Sequence, residues 1–280
     1  MIMLISAIAC SVAVSVLLKL ARTHKLQIAQ SIVVNYALAS ALTFFLLKPD
    51  FQVLTSPSIH WLLLASLGIL LPSVFLIMAR AVASAGIALS DAAQRLSLFI
   101  PLLMAFLLFS EPFNLTKLAG IALALCALVS LIYRPKQESQ KNLKHSALVL
   151  TGVWLGYGVI DVIFKQLAKT GAHFSASLFA SFVLAGILLF GWLILRKTKW
   201  HLTSLVAGLI LGGLNFGNIY AYIRAHQNYP ENPTLVFAAM NIGVISMGAF
   251  IGVAFFQEKL HAVNILGIGL AVAAIGLLIP

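Results

Sequence analysis

The chain has 280 residues, of which 61% are hydrophobic and only 9% charged, and its mean hydropathy is +1.05. These values exclude an ordinary soluble domain and predict a membrane protein. The net charge of +11 does not indicate a nucleic-acid partner, because the 18 basic residues are scattered between apolar segments and form no continuous basic face.

Ten apolar segments are each long enough to cross a bilayer as a helix, which takes about 20 residues. They cover approximately residues 2–20, 28–47, 60–79, 86–109, 114–133, 146–167, 173–195, 202–224, 233–256 and 261–279. The first segment is not predicted to be a cleaved signal, since no basic stretch precedes it and no small-residue cleavage site follows it. The sequence therefore predicts an all-α membrane protein with ten transmembrane helices.

The longest polar stretch divides the chain almost in half. It reads YRPKQESQKNLKHS, with a proline, several cations and no apolar periodicity. We predict a first five-helix repeat at residues 1–133, a basic connecting loop at 134–145 and a second five-helix repeat at 146–280. Because each repeat has an odd number of helices, the second must cross the membrane in the opposite sense.

The two halves are similar in sequence, which supports this division. The segment SEPFNLTKLAGIALALCALVSLI, from Ser110, aligns with QEKLHAVNILGIGLAVAAIGLLI, from Gln257. The alignment matches Glu111 with Glu258. Both glutamates lie in tight connections at the membrane edge. Each could cap a helix or take part in gating, and we favour a structural role.

The pattern SAGIALSDAAQRLSLFIPLLMAFLLFSEPFNLTKLAGIALALCALVSLI and its weaker copy in the second half resemble the EamA branch of the drug/metabolite transporter superfamily. The most specific element is the short acidic loop, SEP or QEK, followed at a fixed distance by a glycine in the next helix. The resemblance covers the whole chain. It implies a secondary transporter of ten helices around a central cavity, which exports or exchanges amino acids, other metabolites or drugs.

The distribution of basic residues predicts the orientation. Twelve Lys and Arg residues lie in loops or at helix ends on the side of the membrane that contains residues 21–27. Five lie on the other side. The positive-inside rule therefore places both termini outside, whereas the family resemblance implies cytoplasmic termini. We favour the charge count, because it is a property of this chain.

The sixth predicted helix carries Asp161 and Lys165, which share a face at spacing i, i+4. An intramembrane charge is costly and must face protein or water, so Asp161 is a candidate proton acceptor or counter-ion for a cationic substrate group. The alternative is a static ion pair, with Lys165 reaching the interface. In the repeat alignment Lys19 matches Lys165, while Ser15 matches Asp161.

The fourth predicted helix carries Asp91, Gln94 and Arg95. Arg95 could bind a substrate carboxylate with two parallel hydrogen bonds. The alternative is an Asp91–Arg95 ion pair that fastens this helix to its neighbours. In the repeat, Asn241 takes the place of Gln94, so the second half keeps polarity there and loses charge.

Further polar and helix-breaking residues are candidates for a cavity and its hinges. The polar candidates are Asn215, Asn218 and Tyr222 on the eighth predicted helix, Asn35 and Tyr36 on the second, and Trp154 on the sixth. Each could line a pocket or bond a neighbouring helix, and the second is commoner. Pro101 and its repeat equivalent Gly248 are candidate hinges, although Pro and Gly are common in membrane helices.

No enzyme or cofactor motif is visible. The sequence lacks HExxH, GxSxG and a phosphate-binding glycine loop with Lys, and its histidines do not fall at metal-ligand spacing. We expect no enzyme, no cofactor and no metal. We expect a secondary transporter of a small amphipathic, amino-acid-like metabolite in a bacterial inner membrane, a monomer or homodimer driven by exchange or protons. The alternatives are a broad drug exporter of the same fold, and a non-transporting scaffold or receptor.

Overall fold

The structure is a computed structural model that describes residues 2–52, 61–101, 103–104, 115–132, 140–169, 174–229 and 233–277. Ten α-helices fall within this part of the chain, and no strand does. Their bounds are α1 Ile2–Thr23, α2 Ile28–Leu42, α3 Trp61–Ala85, α4 Ile87–Leu96, α5 Leu115–Ile132, α6 Gln140–Lys169, α7 Phe174–Leu195, α8 Leu202–Asn228, α9 Pro233–Phe256 and α10 Ala262–Gly276. The predicted all-α class is confirmed.

Seven of these helices have apolar stretches long enough to cross a membrane. They are α1, α2 together with its π-helical extension Thr43–Leu47, α3, α6, α7, α8 and α9. Two others carry shorter apolar stretches, Leu118–Leu131 in α5 and Ala262–Gly276 in α10. Such helices are typical of an integral membrane protein, in which backbone polar groups are satisfied inside each helix. We therefore describe the chain as an integral membrane protein.

Helix α6 corrects one predicted boundary. It begins at Gln140, inside the segment 134–145 that the sequence predicts as a connecting loop. The residues QKNLKHS that follow contain no proline or glycine, and Gln, Leu and Lys have high helix propensity. A helix needs no apolar periodicity when it extends beyond the bilayer, so polarity alone does not mark a loop.

The fourth predicted span is interrupted near its middle. Helix α4 follows Gly86, whose φ of 95° lies in a region that favours glycine, and it ends at Leu96. A turn at Ser97–Leu98 separates it from helical residues 99–101. Pro101 has no N–H to donate to the Ser97 carbonyl, so the turn lies where a proline disrupts a helix. The rest of the predicted span lies mostly outside the described residues.

Most tight contacts join a helix of the first five to a helix of the last five. In chain order, α1 packs on α8 and α9, α2 on α7 and α8, α3 on α6 and α7, α4 on α9 and α6, and α5 on α10. The main apolar core contains buried residues from both sets, including Tyr36, Ile87, Phe182 and Ile245. The core therefore lies between the two sets of helices rather than within either one.

The α2–α8 contact shows why small residues are needed between these helices. A Cβ added at Gly208 would lie 2.7 Å from the Ser31 carbonyl oxygen, and one at Gly212 would lie 3.0 Å from the Asn35 Cα. The Ser31 hydroxyl donates to the Ser204 carbonyl at 2.8 Å. Close backbone approach and interhelical hydrogen bonds of this kind are how membrane helices associate.

Candidate functional site

Two adjoining cavities lie between the two sets of helices. The first, of about 370 Å³, is bordered by six aromatic side chains, and we call it the aromatic cavity: Tyr36, Phe75, Tyr157, Phe164, Phe174 and Phe182. The second, of about 280 Å³, is bordered by Arg95, Tyr222 and Asn241, and we call it the polar cavity. Both share a wall made of Gln94, Tyr157, Asp161, Phe174, Asn218 and Ile219. The two cavities are therefore adjacent, and Asp161 lies in the wall that they share.

Asp161 lies at the junction of the two cavities. Helix α6 presents it to both, and its side chain is exposed to that space. It makes no hydrogen bond to the rest of the described chain, and the cation that acts on it is Arg95 of α4. A carboxylate surrounded by membrane helices must be hydrated or bound by a ligand. Asp161 is thus available to a cationic group in the cavity.

Asp91 and Arg95 bind two serines of α1 and not each other. The Ser15 hydroxyl donates to Asp91 Oδ1 at 2.5 Å, and Arg95 Nη2 donates to the Ser11 hydroxyl at 2.6 Å. Asp91 is only 1% exposed and borders neither cavity, whereas Arg95 borders the polar cavity. The ion pair that was one of the two readings of this helix is not formed directly between Asp91 and Arg95, but both residues fasten α4 to α1.

Two buried polar atoms beside the polar cavity have no partner in the described chain. They are the Arg95 Nε donor and the Asn218 Oδ1 acceptor. Leaving a buried donor or acceptor unpaired costs about 1–3 kcal/mol, so such groups need an explanation. Both atoms are inaccessible in this structure, so a ligand with an acceptor and a donor would satisfy them only after these side chains move.

The amides of α8 and α9 divide between the cavities and the helix contacts. Asn215 borders the aromatic cavity and also donates to Asn35 Oδ1 at 3.1 Å. Asn241 borders the polar cavity and donates to the Phe237 carbonyl, one turn earlier, at 2.8 Å. Tyr222 borders the polar cavity. Among these predicted residues, Asn35 alone is completely buried away from both cavities.

Three more predicted residues lie outside the cavity linings. Trp154 donates its indole N–H to the Leu96 carbonyl at 3.1 Å, which joins α6 to the end of α4. Lys19 forms an ion pair with Glu258 at 3.0 Å. Lys165 is half-buried on α6, and the electrostatic partner of Asp161 is Arg95 instead. No direct ion pair between Asp161 and Lys165 is found in the described residues, and the charge of Arg95 acts on Asp161 from α4. That Asp161 and Lys165 neutralise each other stays a prediction.

The two candidate hinges have different surroundings. Pro101 follows the turn that interrupts the fourth span. Gly248 lies inside the continuous helix α9, where an added Cβ would be 2.6 Å from Asp91 Oδ2. The contact with Asp91 gives a packing reason for this glycine. A hinge role for either residue stays a prediction.

Several cavity residues were missed by the sequence reasoning. Ser11 and Ser15 border the aromatic cavity, and so do Tyr157 and Phe174. The spacing of Ser11, Ser15 and Lys19 was a visible signal, because three polar residues four positions apart form one stripe on an apolar helix. The aromatic residues carried no such signal, since an aromatic in a membrane helix faces lipid as readily as a cavity.

No group of three or more His, Cys, Asp and Glu residues that could hold a metal ion occurs in the described ranges. The polar groups around the cavities are instead a carboxylate, a guanidinium, amides and hydroxyls. This set suits hydrogen bonding and ion pairing with an organic ligand.

Comparisons with other proteins bear on the fold and the family. No protein-family model matches the chain. A solved crystal structure of another protein superposes with a TM-score of 0.62 over 99% of this chain and 94% of that one, at 14% sequence identity, and so shares the fold. An uncharacterized protein of Haemophilus influenzae (strain ATCC 51907 / DSM 11121 / KW20 / Rd) is 50% identical over 278 residues, which span 97% of this chain and 95% of the relative. The chain belongs to the same family as this Haemophilus influenzae protein.

Proposed function

We propose that the protein is a secondary active transporter of the EamA type, which moves a small amphipathic, amino-acid-like metabolite across a bacterial inner membrane. The observation that carries this proposal is the cavity between the two sets of helices. In a chain that is 61% hydrophobic, the cavity holds a carboxylate with no hydrogen bond to the described chain, Asp161, and an unpaired guanidinium N–H, that of Arg95. Ionisable groups inside membrane helices are characteristic of substrate and ion pathways.

The helix contacts support an inverted repeat of five helices in each half. If each helix of the first half is exchanged for the one five places later, α1–α8 becomes α6–α3, α2–α8 becomes α7–α3, and α1–α9 becomes α6–α4. All of these contacts are observed. The pairs α2–α7, α4–α9 and α5–α10 map onto themselves. Such two-fold symmetry is what alternating access in secondary transporters uses, with the binding site at the interface of the repeats.

The charges of the cavity favour a zwitterionic cargo. Asp161 suits an ammonium group, and the Arg95 N–H suits a carboxylate. Asn218 Oδ1 needs a donor, which an ammonium also supplies. The aromatic cavity is beside these groups and suits the apolar part of the same molecule. In this proposal, a gradient of protons or of a counter-substrate supplies the energy for export or exchange of the cargo.

A broad-specificity drug exporter of the same fold is the second candidate. The six aromatic side chains around the aromatic cavity favour it, because flat rings stack on aromatic faces and aromatic rings attract cations. These aromatic side chains therefore favour cargo that carries a ring. A non-transporting scaffold or receptor is a third reading, and transport into sealed vesicles would exclude it.

A ligand-stabilisation screen separates the two transporter readings. We expect purified protein to be stabilised by zwitterionic amino acids, and a ligand at 100 times its Kd raises the unfolding free energy by about 2.7 kcal/mol. Stabilisation by aromatic cations without a carboxylate, and not by zwitterions, would favour the drug exporter. Flux of the stabilising compound into sealed vesicles then tests transport.

Asp161→Asn tests the site itself. We expect this variant to fold and to lose transport, or to lose the pH dependence of transport, because the amide cannot take up a proton or pair with an ammonium. Asp50→Asn is the matched control, since Asp50 is exposed in the connection after α2 and outside both cavities. Unchanged and equally pH-dependent flux in Asp161→Asn would refute the assignment.

A further inference from the structure

Three polar side chains on one face of α1 each bind a group of α4 or of the α9–α10 connection. Ser11 accepts from Arg95 at 2.6 Å, Ser15 donates to Asp91 at 2.5 Å, and Lys19 donates to Glu258 at 3.0 Å. The α1 residues are four positions apart, and so are Asp91 and Arg95. We call these three contacts the polar seam. The seam extends along α1 and α4 from the cavity to one end of the helices.

Glu258 closes the seam at that end by binding the start of α4. Its carboxylate accepts the backbone N–H groups of Ile87 at 2.8 Å and Ala88 at 3.3 Å, and its side chain is 8% exposed. These N–H groups belong to the first helical turn, which has no acceptor within its own helix and attracts anions. Of the two roles that the sequence leaves open, capping is the one that these contacts show. The matched residue, Glu111, lies outside the described residues.

Two glycines make room for this carboxylate. A Cβ added at Gly86 would lie 2.6 Å from the Glu258 carboxyl, and one added at Gly252 would lie 2.5 Å from it. Gln257, with φ of 51°, turns the chain back so that Glu258 points at α4. The Glu258 amide N–H then bonds the Gly252 carbonyl at 3.0 Å. The contact is therefore built by four separate features of the backbone.

The seam and the cavities overlap at Ser11, Ser15 and Arg95, whereas Lys19, Asp91 and Glu258 border neither cavity. On α4, Asp91 borders neither cavity, but Gln94, Arg95 and the following turn at Ser97–Leu98 do. Helix α6 runs beside this segment in the same direction, since Trp154 bonds Leu96 and Gly158 packs on Ile100.

Farther along that direction, the cavity is bordered by Asp161, Phe164 and Phe174. The open space therefore extends away from Glu258. The outer part of the seam lies between this space and the end of the helices at which α4 begins.

We propose that the polar seam is a reversible closure of the cavity at the α4 N-terminal end, and that it opens during the transport cycle. This inference rests on the proposed function. A closure that must become wet is better made of polar contacts, because water can replace their hydrogen bonds while exposed apolar surface has no such compensation. Lys19 is already 24% exposed at the outer end of the seam.

Arg95 connects the closure to the cargo. It binds Ser11 in the seam through Nη2, and its Nε remains unpaired beside the polar cavity. A carboxylate that binds Arg95 can therefore change the contact of Arg95 with Ser11. Asp91 lies on the same short helix α4, and Glu258 binds its first turn, so a movement of α4 changes their contacts as well. This is a direct physical route from cargo binding to closure, through α4.

Cysteine accessibility tests the closure without any cargo. The reporter is Val14→Cys, at a residue that borders the aromatic cavity, in a Cys10→Ser, Cys126→Ser background. A membrane-impermeant thiol reagent is applied from each side of the membrane in turn. With the seam intact, we expect fast reaction from one side only. With Lys19→Met or Glu258→Gln, we expect the rate from the other side to rise about tenfold, the effect of weakening closure by about 1.4 kcal/mol.

Matched variants keep the test decisive. Lys19→Arg preserves the ion pair and should leave the rate low, and Lys197→Met removes an exposed lysine elsewhere and should do the same. If Lys19→Met does not fold, Ser15→Ala removes one seam bond, keeps the ion pair and should give a smaller increase. Unchanged rates in folded Lys19→Met and Glu258→Gln would overturn the closure.

The closure and the transport function can fail independently. Side-dependent labelling that responds to the seam variants, in a protein that shows no flux in sealed vesicles, would support the closure and refute the transporter. Flux without any change in labelling would support the transporter and refute the closure. Loss of both would refute both.

Discussion

Gly248 and Gly213 are both helical glycines of the second half, but their surroundings are opposite. A Cβ at Gly248 would lie 2.6 Å from the buried Asp91 Oδ2, whereas a Cβ at Gly213 would meet nothing within 4 Å. We predict that Gly248→Ala lowers the free energy of unfolding by about 1–3 kcal/mol, the usual cost of overpacking.

Gly213→Ala is the matched control, and we expect it to be neutral or to stabilise by about 0.4–1 kcal/mol, because alanine restricts the unfolded chain. Thermal unfolding in detergent measures both variants. Equal melting temperatures for the two would show that α9 can move away from Asp91 at little cost.

Single charged residues were easy to find in this sequence, but their partners were not. Asp161 and Arg95 stand out because charges are rare in apolar spans, and both border the cavity. The charge of Arg95 on α4 acts on Asp161 on α6 without a direct ion pair in the described residues, and nothing in a single sequence reports which helices are neighbours. The i, i+4 spacing favoured partners on the same helix, since it is the only proximity that a sequence displays.

At the scale of helices, Asn264 holds the start of α10 against the end of α5. Its amide donates to the Ser130 carbonyl at 3.0 Å and the Leu131 carbonyl at 3.3 Å, and its Oδ1 accepts the His261 N–H at 3.2 Å. We predict that Asn264→Ala destabilises the protein by about 1–3 kcal/mol, because it leaves buried backbone groups unpaired.

Thermal unfolding of Asn264→Ala is compared with that of Asn228→Ala, at the exposed end of α8. We expect little change in Asn228→Ala. A change of similar size in both variants would mean that these hydrogen bonds of the Asn264 side chain contribute nothing specific.

The interruption after α4 gives a second prediction at this scale. Pro101→Ala supplies an N–H for the Ser97 carbonyl, which should extend α4 through the turn at Ser97–Leu98 and stiffen it. On the proposed transport function, we expect stability to be kept or raised while the transport rate falls, because the bend at Ser97–Leu98, which borders the polar cavity, is lost. The measurements are flux in vesicles and thermal unfolding.

Pro72→Ala is the control, since Pro72 lies inside the uninterrupted helix α3. We expect its flux to change less than that of Pro101→Ala. Full transport by a folded Pro101→Ala variant would exclude a hinge at this position.

The sequence predicted the helices better than their ends. All ten predicted segments contain a helix, because hydropathy over about 20 residues is a strong signal. The start of α6 at Gln140 and the turn after Leu96 were not placed correctly. Both depend on local backbone chemistry in polar or proline-containing stretches, where hydropathy carries no information.

For the whole molecule, the symmetric set of helix contacts is what the proposed inverted repeat requires. The repeat alone cannot show how the halves meet, since five helices could form a separate bundle. In the structure the helices of one half pack mainly on those of the other, and this arrangement places the cavity at their interface. The cavity is therefore a property of the whole chain, and neither half would form it alone.

The orientation of the whole molecule in the membrane gives the last prediction. The positive-inside rule places the side with twelve Lys and Arg residues in the cytoplasm, and that side includes the α1–α2 connection and the polar seam. His24, in this connection, and Asp50, after α2, are both exposed and lie at opposite ends of α2. We predict that an impermeant maleimide labels Asp50→Cys in intact bacterial cells, and His24→Cys only after permeabilisation, in a Cys10→Ser, Cys126→Ser background. The reverse pattern would place the termini in the cytoplasm, as the family resemblance implies, and the seam at the outer face. Labelling of both positions from the same side would contradict a membrane-spanning α2 and, with it, the inverted repeat.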